Sequence, residues 1–166
     1  MEMKPTHIDY GALEAARFGI SRSPKWPHVE KAHRRLQPNC VACIPGTYTQ
    51  AGLQVHHIFP FHYCIALGRP DLELDQRNLI TLCQDEPGKP GQDHHLLIGH
   101  LDDFQSSNLL VVTDAQQTFY GLPADQIRQN AIWLQEEASR LKPLDQMTQE
   151  DKDNFINQMN TRFPKL

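Results

Sequence analysis

The chain has no apolar run approaching the length needed to cross a bilayer, which excludes a helical membrane span. Its opening, Met1 to Tyr10, carries acidic residues and a proline where a secretory signal needs a basic start and an apolar centre. No export by that route is expected, and the expected compartment is cytoplasmic. Positive charge is in short supply: 16 Lys and Arg face 20 Asp and Glu, a net charge of −4. That balance is unhelpful to a nucleic-acid partner, whose phosphates are neutralised by Lys and Arg. Cysteine is sparse too, at four residues. Without an export signal these thiols are expected to stay reduced, so their pattern points to metal ligation before disulfides. Internal repeats and low-complexity stretches are absent. At 166 residues there is room for one domain with a modest core, and none for a second large catalytic domain.

What basic charge there is gathers in one place. Residues 17 to 35 hold Arg17, Arg22, Lys25, Lys31, Arg34 and Arg35 against Glu30 alone, whereas acids concentrate at Asp71, Glu73, Asp75, Asp85, Glu86, Asp93, Asp102 and Asp103. Arg22, Lys25, Lys31, Arg34 and Arg35 are therefore the candidate nucleic-acid-binding residues. Taken alone, the patch reads equally well as a solvated helix face.

Periodicity places the elements. A short helix is expected around Ala12 to Phe18. Over Pro24 to Leu36, Trp26, Val29, His33 and Leu36 recur at helical spacing, Pro27 suits a first turn, and Pro38-Asn39 ends the pattern. A Cys40 to Cys43 knuckle, a turn from Pro45 to Gly52 and a short strand through Val55 follow. Residues 59 to 77, punctuated by Pro60, Gly68 and Pro70, read as an irregular excursion, and Leu79 to Leu82 as a second strand. Glu86 to Gln92 reads as a flexible insertion, and a helix is expected from Asp93, its N-cap, through Ile98. The last third reads as two helices. The first has an apolar stripe of Ile127, Ala131, Leu134, Ala138 and Leu141 with Trp133 on its flank. The second is capped by Thr148 and Asp151 and buries Phe155, Ile156 and Met159.

The chemistry sits in the histidines and cysteines. Cys40-Val41-Ala42-Cys43 has the spacing that lets two sulfurs face one ion, and Cys83 is an obvious third ligand. Position 86 is a glutamate, so no second Cys-x-x-Cys exists. Cys64, among Tyr63, Ile65, Ala66 and Leu67, reads as a small buried hydrophobe. His56 and His57 end a β-patterned run, and neighbours on a strand point to opposite sides, so the two cannot share one role. Imidazole titrates near neutrality and ligates metals when neutral, which suits both base and ligand roles. Asn78 precedes the second strand, and His94-His95 follow the insertion.

In this order, Cys40 and Cys43, His56-His57, Asn78, Cys83 and His94-His95 resemble the HNH endonuclease family. The resemblance covers about residues 24 to 104 and implies an α+β fold: a small ββα-metal (His-Me finger) core with flanking helices and a mostly helical C-terminal third. The implied organisation is an N-terminal segment, 1–23, a nuclease core, 24–104, and a helical extension packed on the core, 105–166. It further implies that His56 and His95 hold a catalytic divalent ion (Mg2+, Mn2+, Ni2+ or Zn2+), that His57 is the general base, and that Asn78 braces the loop and orients the strand bearing it. The family's zinc cluster ends with a histidine directly after its last cysteine. Here His94 stands where that cysteine would, which would make a structural Cys3His zinc site of Cys40, Cys43, Cys83 and His94. An Asp or Glu ligand, or no metal at all, are alternatives left open. His100 lies five residues after His95 and would rotate well off that face of an α-helix, so it is expected as an auxiliary residue or phosphate contact.

The activity implied is hydrolysis of DNA phosphodiester bonds, by nicking or double-strand cleavage, to 5′-phosphate and 3′-hydroxyl ends, with DNA as partner and a homodimer as one option for double-strand cleavage. A zinc-binding module that recognises nucleic acid or protein without catalysis is the competing expectation, and a toxin-like effector a third. A pure binding module has no need of a free histidine beside a ligand histidine, which favours the enzyme.

Overall fold

The computed structural model describes residues 21–166. The helix expected around Ala12 to Phe18, and Arg17, lie outside the described residues. Trp26–Leu36 form α1, with Pro27 in its first turn and Trp26 and His33 on its buried face. Leu36, expected on that face, is exposed. The helix ends there because Gln37 turns away and ties itself to the sheet: its side-chain oxygen accepts from Thr81 N at 2.6 Å, and its carbonyl accepts from Thr81 Oγ1 at 2.8 Å. The chain therefore leaves α1 against the sheet, with Cys40 and Cys43 in the next turn.

Gly52–His57 (β1) and Leu79–Gln84 (β2) pair antiparallel, with His56 opposite Ile80 and Leu53 opposite Cys83. One face of this two-stranded sheet carries Val55 and Leu79 toward Trp26; the other joins a larger core that runs from Cys40 to Phe163 and includes Leu82, Leu97, Val111, Phe119, Trp133 and Phe155. The result is a mixed α and β architecture in which a small sheet is covered by helical segments. Among the described residues no helix is long and apolar enough to cross a membrane.

Three expectations need correction. The excursion between the strands is not irregular: Phe61–Ala66 form α2, and 3-10 turns follow at Pro70–Glu73 and Gln76–Asn78. Pro60 opens α2 and Gly68, at φ +89°, closes the loop after it, while Phe61, Tyr63 and Cys64 drop into the core. Prolines and glycine here bound an element rather than prevent one. Second, Asp93 is not a helix cap. It adopts φ +52° and its carboxylate accepts from Asp85 N at 2.8 Å, bracing the neck of the insertion. The helical turn begins later, and His95–Gly99 is π-helical. Third, the single helix expected along the stripe from Ile127 to Leu141 is two, Ala124–Arg128 and Ala131–Ala138, broken where Asn130 caps the second by accepting from Ile132 N and Trp133 N. The break rotates Trp133 inward, 2% exposed, and Leu134 outward, 48% exposed. A further helical stretch, Val111–Thr113 continuing into the π turn Asp114–Thr118, was not expected. The last helix, Gln149–Arg162, has the expected Thr148/Asp151 capping box and buries Phe155 and Met159, with Ile156 half-buried.

Burial, then the hydrogen bond and charge of Asp114, push the Glu136 carboxyl up to about 8. Its folded value lies above the unfolded one near 4.5, so the folded state binds the extra proton. The stabilisation is complete below about pH 4.5 and is lost as pH rises through about 8. Urea midpoints measured across that window should fall for the wild type more than for Glu136→Gln; parallel curves would refute the pairing.

Candidate metal centres

Two groups of side chains meet at ligand distance among the described residues: Cys40, Cys43, Cys83 and His94, and, beside them, His56, His95 and His100; in each the donor atoms lie within 4.8 Å of one another.

The first group is built by three elements. The turn after α1 supplies Cys40 and Cys43, the end of β2 supplies Cys83, and the start of the π turn supplies His94. His94 Nδ1 lies 3.4 Å from each of the three sulfurs, and Cys43 Sγ lies 3.8 Å from Cys83 Sγ. Zinc bonded tetrahedrally to sulfur at about 2.3 Å and nitrogen at about 2.0 Å requires sulfur–sulfur edges of about 3.8 Å and sulfur–nitrogen edges of about 3.5 Å. The donors fit such an ion. His94 donates its other nitrogen to Leu122 O at 2.8 Å, which fixes the tautomer with Nδ1 toward the sulfurs. Hydrogen bonds from Cys40 and Cys43, then His94, pull the Cys83 thiol far down, while hydrogen bonds from Cys40 and Cys83, then burial, hold Cys43 far up. Burial alone would depress His94, but the Cys40 and Cys83 sulfurs raise it to about 10. A divalent cation would take the place of these protons, so binding here strengthens as pH rises. The free cysteines include Cys64, which is buried away from this group and donates to Phe59 O at 3.5 Å, as a small apolar residue.

The second group depends on a departure from α geometry. Five residues of α-helix turn through about 500°, leaving the side chain about 140° off the starting face. The π turn closes its hydrogen bonds at i+5 and so returns His100 to the side of His95. His100 Nε2 lies 3.1 Å from His95 Nε2. The expectation that His100 rotates away is thus corrected. The wider turn is held from outside: Leu97 O accepts from Trp133 Nε1 at 2.7 Å, Ile98 O from Asn108 Nδ2 at 3.0 Å, and Gly99 O from Asn108 N at 2.9 Å. Leu101 and Asp102, at φ +52° and +66°, then end it. Gly99 is needed for a close approach, since a Cβ there would lie 3.1 to 3.3 Å from three atoms of the His56 ring.

His95 Nδ1 is bonded to Gln84 Oε1 at 2.9 Å and His100 Nδ1 to Ser106 O at 2.7 Å. Both rings therefore donate at Nδ1 and turn the Nε2 lone pair to the centre. His56 Nε2 is buried with no hydrogen-bond partner. Burial first, then the neighbouring imidazoles, hold His56 and His95 well below the usual value, and burial brings His100 to about 4. Three neutral imidazoles with converging lone pairs, one of them an orphaned buried nitrogen, fit a divalent metal ion better than any hydrogen-bond pattern.

His57 faces the other side of β1. Its Nε2–H donates to Glu73 O at 2.8 Å, leaving Nδ1 as the acceptor, and its ring packs 4.6 Å from Trp26 and 5.7 Å from Phe61. Burial, then the charge of Arg22, lower it to about 3. Asn78 is fully buried and clamps the loop between the strands: Nδ2 donates to Phe59 O and Leu72 O, both at 3.0 Å, and Oδ1 accepts from Phe59 N at 2.8 Å. Arg22 lies over Trp26 and Phe61, 4.9 and 4.6 Å from their centroids, and its charge acts on His56, His57 and His95 alike. Glu73 ties this corner together, accepting from Ser23 N at 2.9 Å through its carboxylate while its carbonyl holds His57. Of the other basic candidates, Lys25 just before α1 and Lys31 and Arg35 along it are exposed, and Arg34 is bonded to Glu30 at 3.0 Å and Leu53 O at 2.8 Å.

No protein-family model, curated protein or solved structure matches this chain. Sequence alone did not single out Gln84, Gly99 or the Leu122 carbonyl; the one visible signal was a glycine set between two histidines five apart.

Proposed function

We propose that this chain is a metal-dependent endonuclease of the HNH type, with a ββα-metal core, a structural zinc at Cys40, Cys43, Cys83 and His94, and a divalent ion at His56, His95 and His100. The observation that carries the reading is the convergence of three neutral imidazoles, His56 and His95 buried and His100 half-buried, beside a histidine that is kept out of their set. A binding module has no need of the free histidine beside a ligand histidine. Zinc at the first group is a fold element, and its thiolates leave no open position for substrate.

A divalent ion at the second group would supply Lewis-acid stabilisation of charge on a scissile phosphate. The remaining work falls to the chain. A phosphodiester laid across the end of β1 reaches both faces of the strand. His57, fixed through Nε2 to the Glu73 carbonyl, takes a proton from the attacking water at Nδ1. Arg22, whose charge already acts on both sides of the strand, neutralises the phosphate, and that neutralisation in turn relieves the depression of His57. Asn78 keeps the loop bearing Glu73 in register with β1, acting on the reaction only through His57. The exposed cations of α1 offer a path for the flanking backbone. DNA is the proposed substrate, and the products carry 5′-phosphate and 3′-hydroxyl ends.

Supercoiled plasmid tests this reading. Protein freed of loosely held metal is given magnesium, manganese, nickel or zinc separately. Conversion to open-circular or linear DNA by the wild type, lowered about 100-fold or more in His57→Ala, is the expected outcome. Absence of cleavage with every ion, or equal cutting by both proteins, would exclude the mechanism and favour a non-catalytic binding module.

A further inference from the structure

Consecutive residues at the end of β2 grip the consecutive histidines that open the π turn. Cys83 Sγ lies 3.4 Å from His94 Nδ1, and Gln84 Oε1 lies 2.9 Å from His95 Nδ1. The thiolate group thereby fixes the backbone from which His95 projects, and what stays undetermined is the rotation and tautomer of the His95 ring. Gln84 sets both. Accepting from Nδ1–H, it turns Nε2 toward His100 and His56 as a lone pair. The corresponding partner of His100 is the Ser106 carbonyl. Both partners are neutral oxygens. A carboxylate in that role would make the imidazole a stronger ligand, and an apolar side chain would release it.

We propose that Gln84 is the positioning residue of the three-histidine group, and that its neutral amide holds the group at a strength that keeps its ion exchangeable while the thiolate group keeps its own. The proposal rests on reading His56, His95 and His100 as metal ligands, and the experiment separates the two. Full-length zinc-loaded protein is titrated with nickel by isothermal calorimetry, as wild type, Gln84→Ala, Gln84→Glu and His56→Ala, with zinc content and urea midpoint recorded for each. The wild type should take up one nickel beyond its zinc. Gln84→Ala should bind it about 10- to 100-fold more weakly, with zinc and midpoint unchanged, and Gln84→Glu should bind it at least as tightly as the wild type. Gln84→Ala affinity within about twofold of the wild type, or loss of zinc in both Gln84 variants, overturns the positioning role while leaving the ligand assignment standing. A wild type that takes up no nickel, or a His56→Ala protein that binds it equally well, overturns the ligand assignment and the proposal with it.

Discussion

Stripping the thiolate group of metal, or replacing Cys40 or Cys83 with serine, should unfold the domain at room temperature. The four ligands join the turn after α1, the end of β2 and the start of the π turn. The sheet they anchor has only two strands, which are marginal in water without further support. Structural zinc sites of this composition are worth on the order of 10 kcal/mol or more, comparable to the whole stability of a domain, roughly 5–15 kcal/mol. In the metal-free state Cys83 is drawn toward the thiolate while Cys43, pressed against Cys40 and Cys83, is held as the thiol, and His94, raised to about 10, is the counter-charge that remains. Far- and near-ultraviolet circular dichroism during chelation should report a cooperative loss reversed by zinc. An unchanged urea midpoint after verified zinc removal would deny the cluster its structural role.

The second large effect belongs to His56 and His95. Replacing either with alanine should lower single-turnover cleavage by about 1,000-fold or more, since removal of Lewis-acid stabilisation worth several kcal/mol changes the rate tenfold for each 1.4 kcal/mol. The same substitutions should leave zinc in place. His56 contributes a buried nitrogen with no hydrogen-bond partner, so its loss removes an unsatisfied polar group along with its packing. His100→Ala should be affected in the same direction, which separates the three-ligand arrangement from a two-histidine site. Cleavage within tenfold of the wild type for His56→Ala, with zinc retained, would place the reaction elsewhere.

Much of this was legible in the residues because it depends on local rules. The Cys-x-x-Cys turn, the alternation that sends His56 and His57 to opposite faces and the capping box at Thr148 each follow from spacing or side-chain chemistry, the brace at Asn78 follows from the family resemblance, and each has its counterpart in the structure. What escaped was set by distant partners. The π turn that returns His100 to His95 is held by Trp133, Asn108 and the close contact at Gly99, none of which can be linked to it by period. Trp133 itself falls on the flank of a stripe carried by one continuous helix, and a single capping asparagine, Asn130, shifts the face. The excursion between the strands hid α2 because Pro60 and Gly68 read as breakers when they serve as its start and stop.

Native mass spectrometry of the full chain tests most directly the proposal of two metal sites of different chemistry. The wild type, after dialysis, should retain the mass of one zinc, and should gain one manganese or nickel on addition; His95→Ala should keep the zinc and fail to gain the second ion. A wild type that holds a single ion under all loadings, or a second ion that survives His95→Ala unchanged, would contradict it.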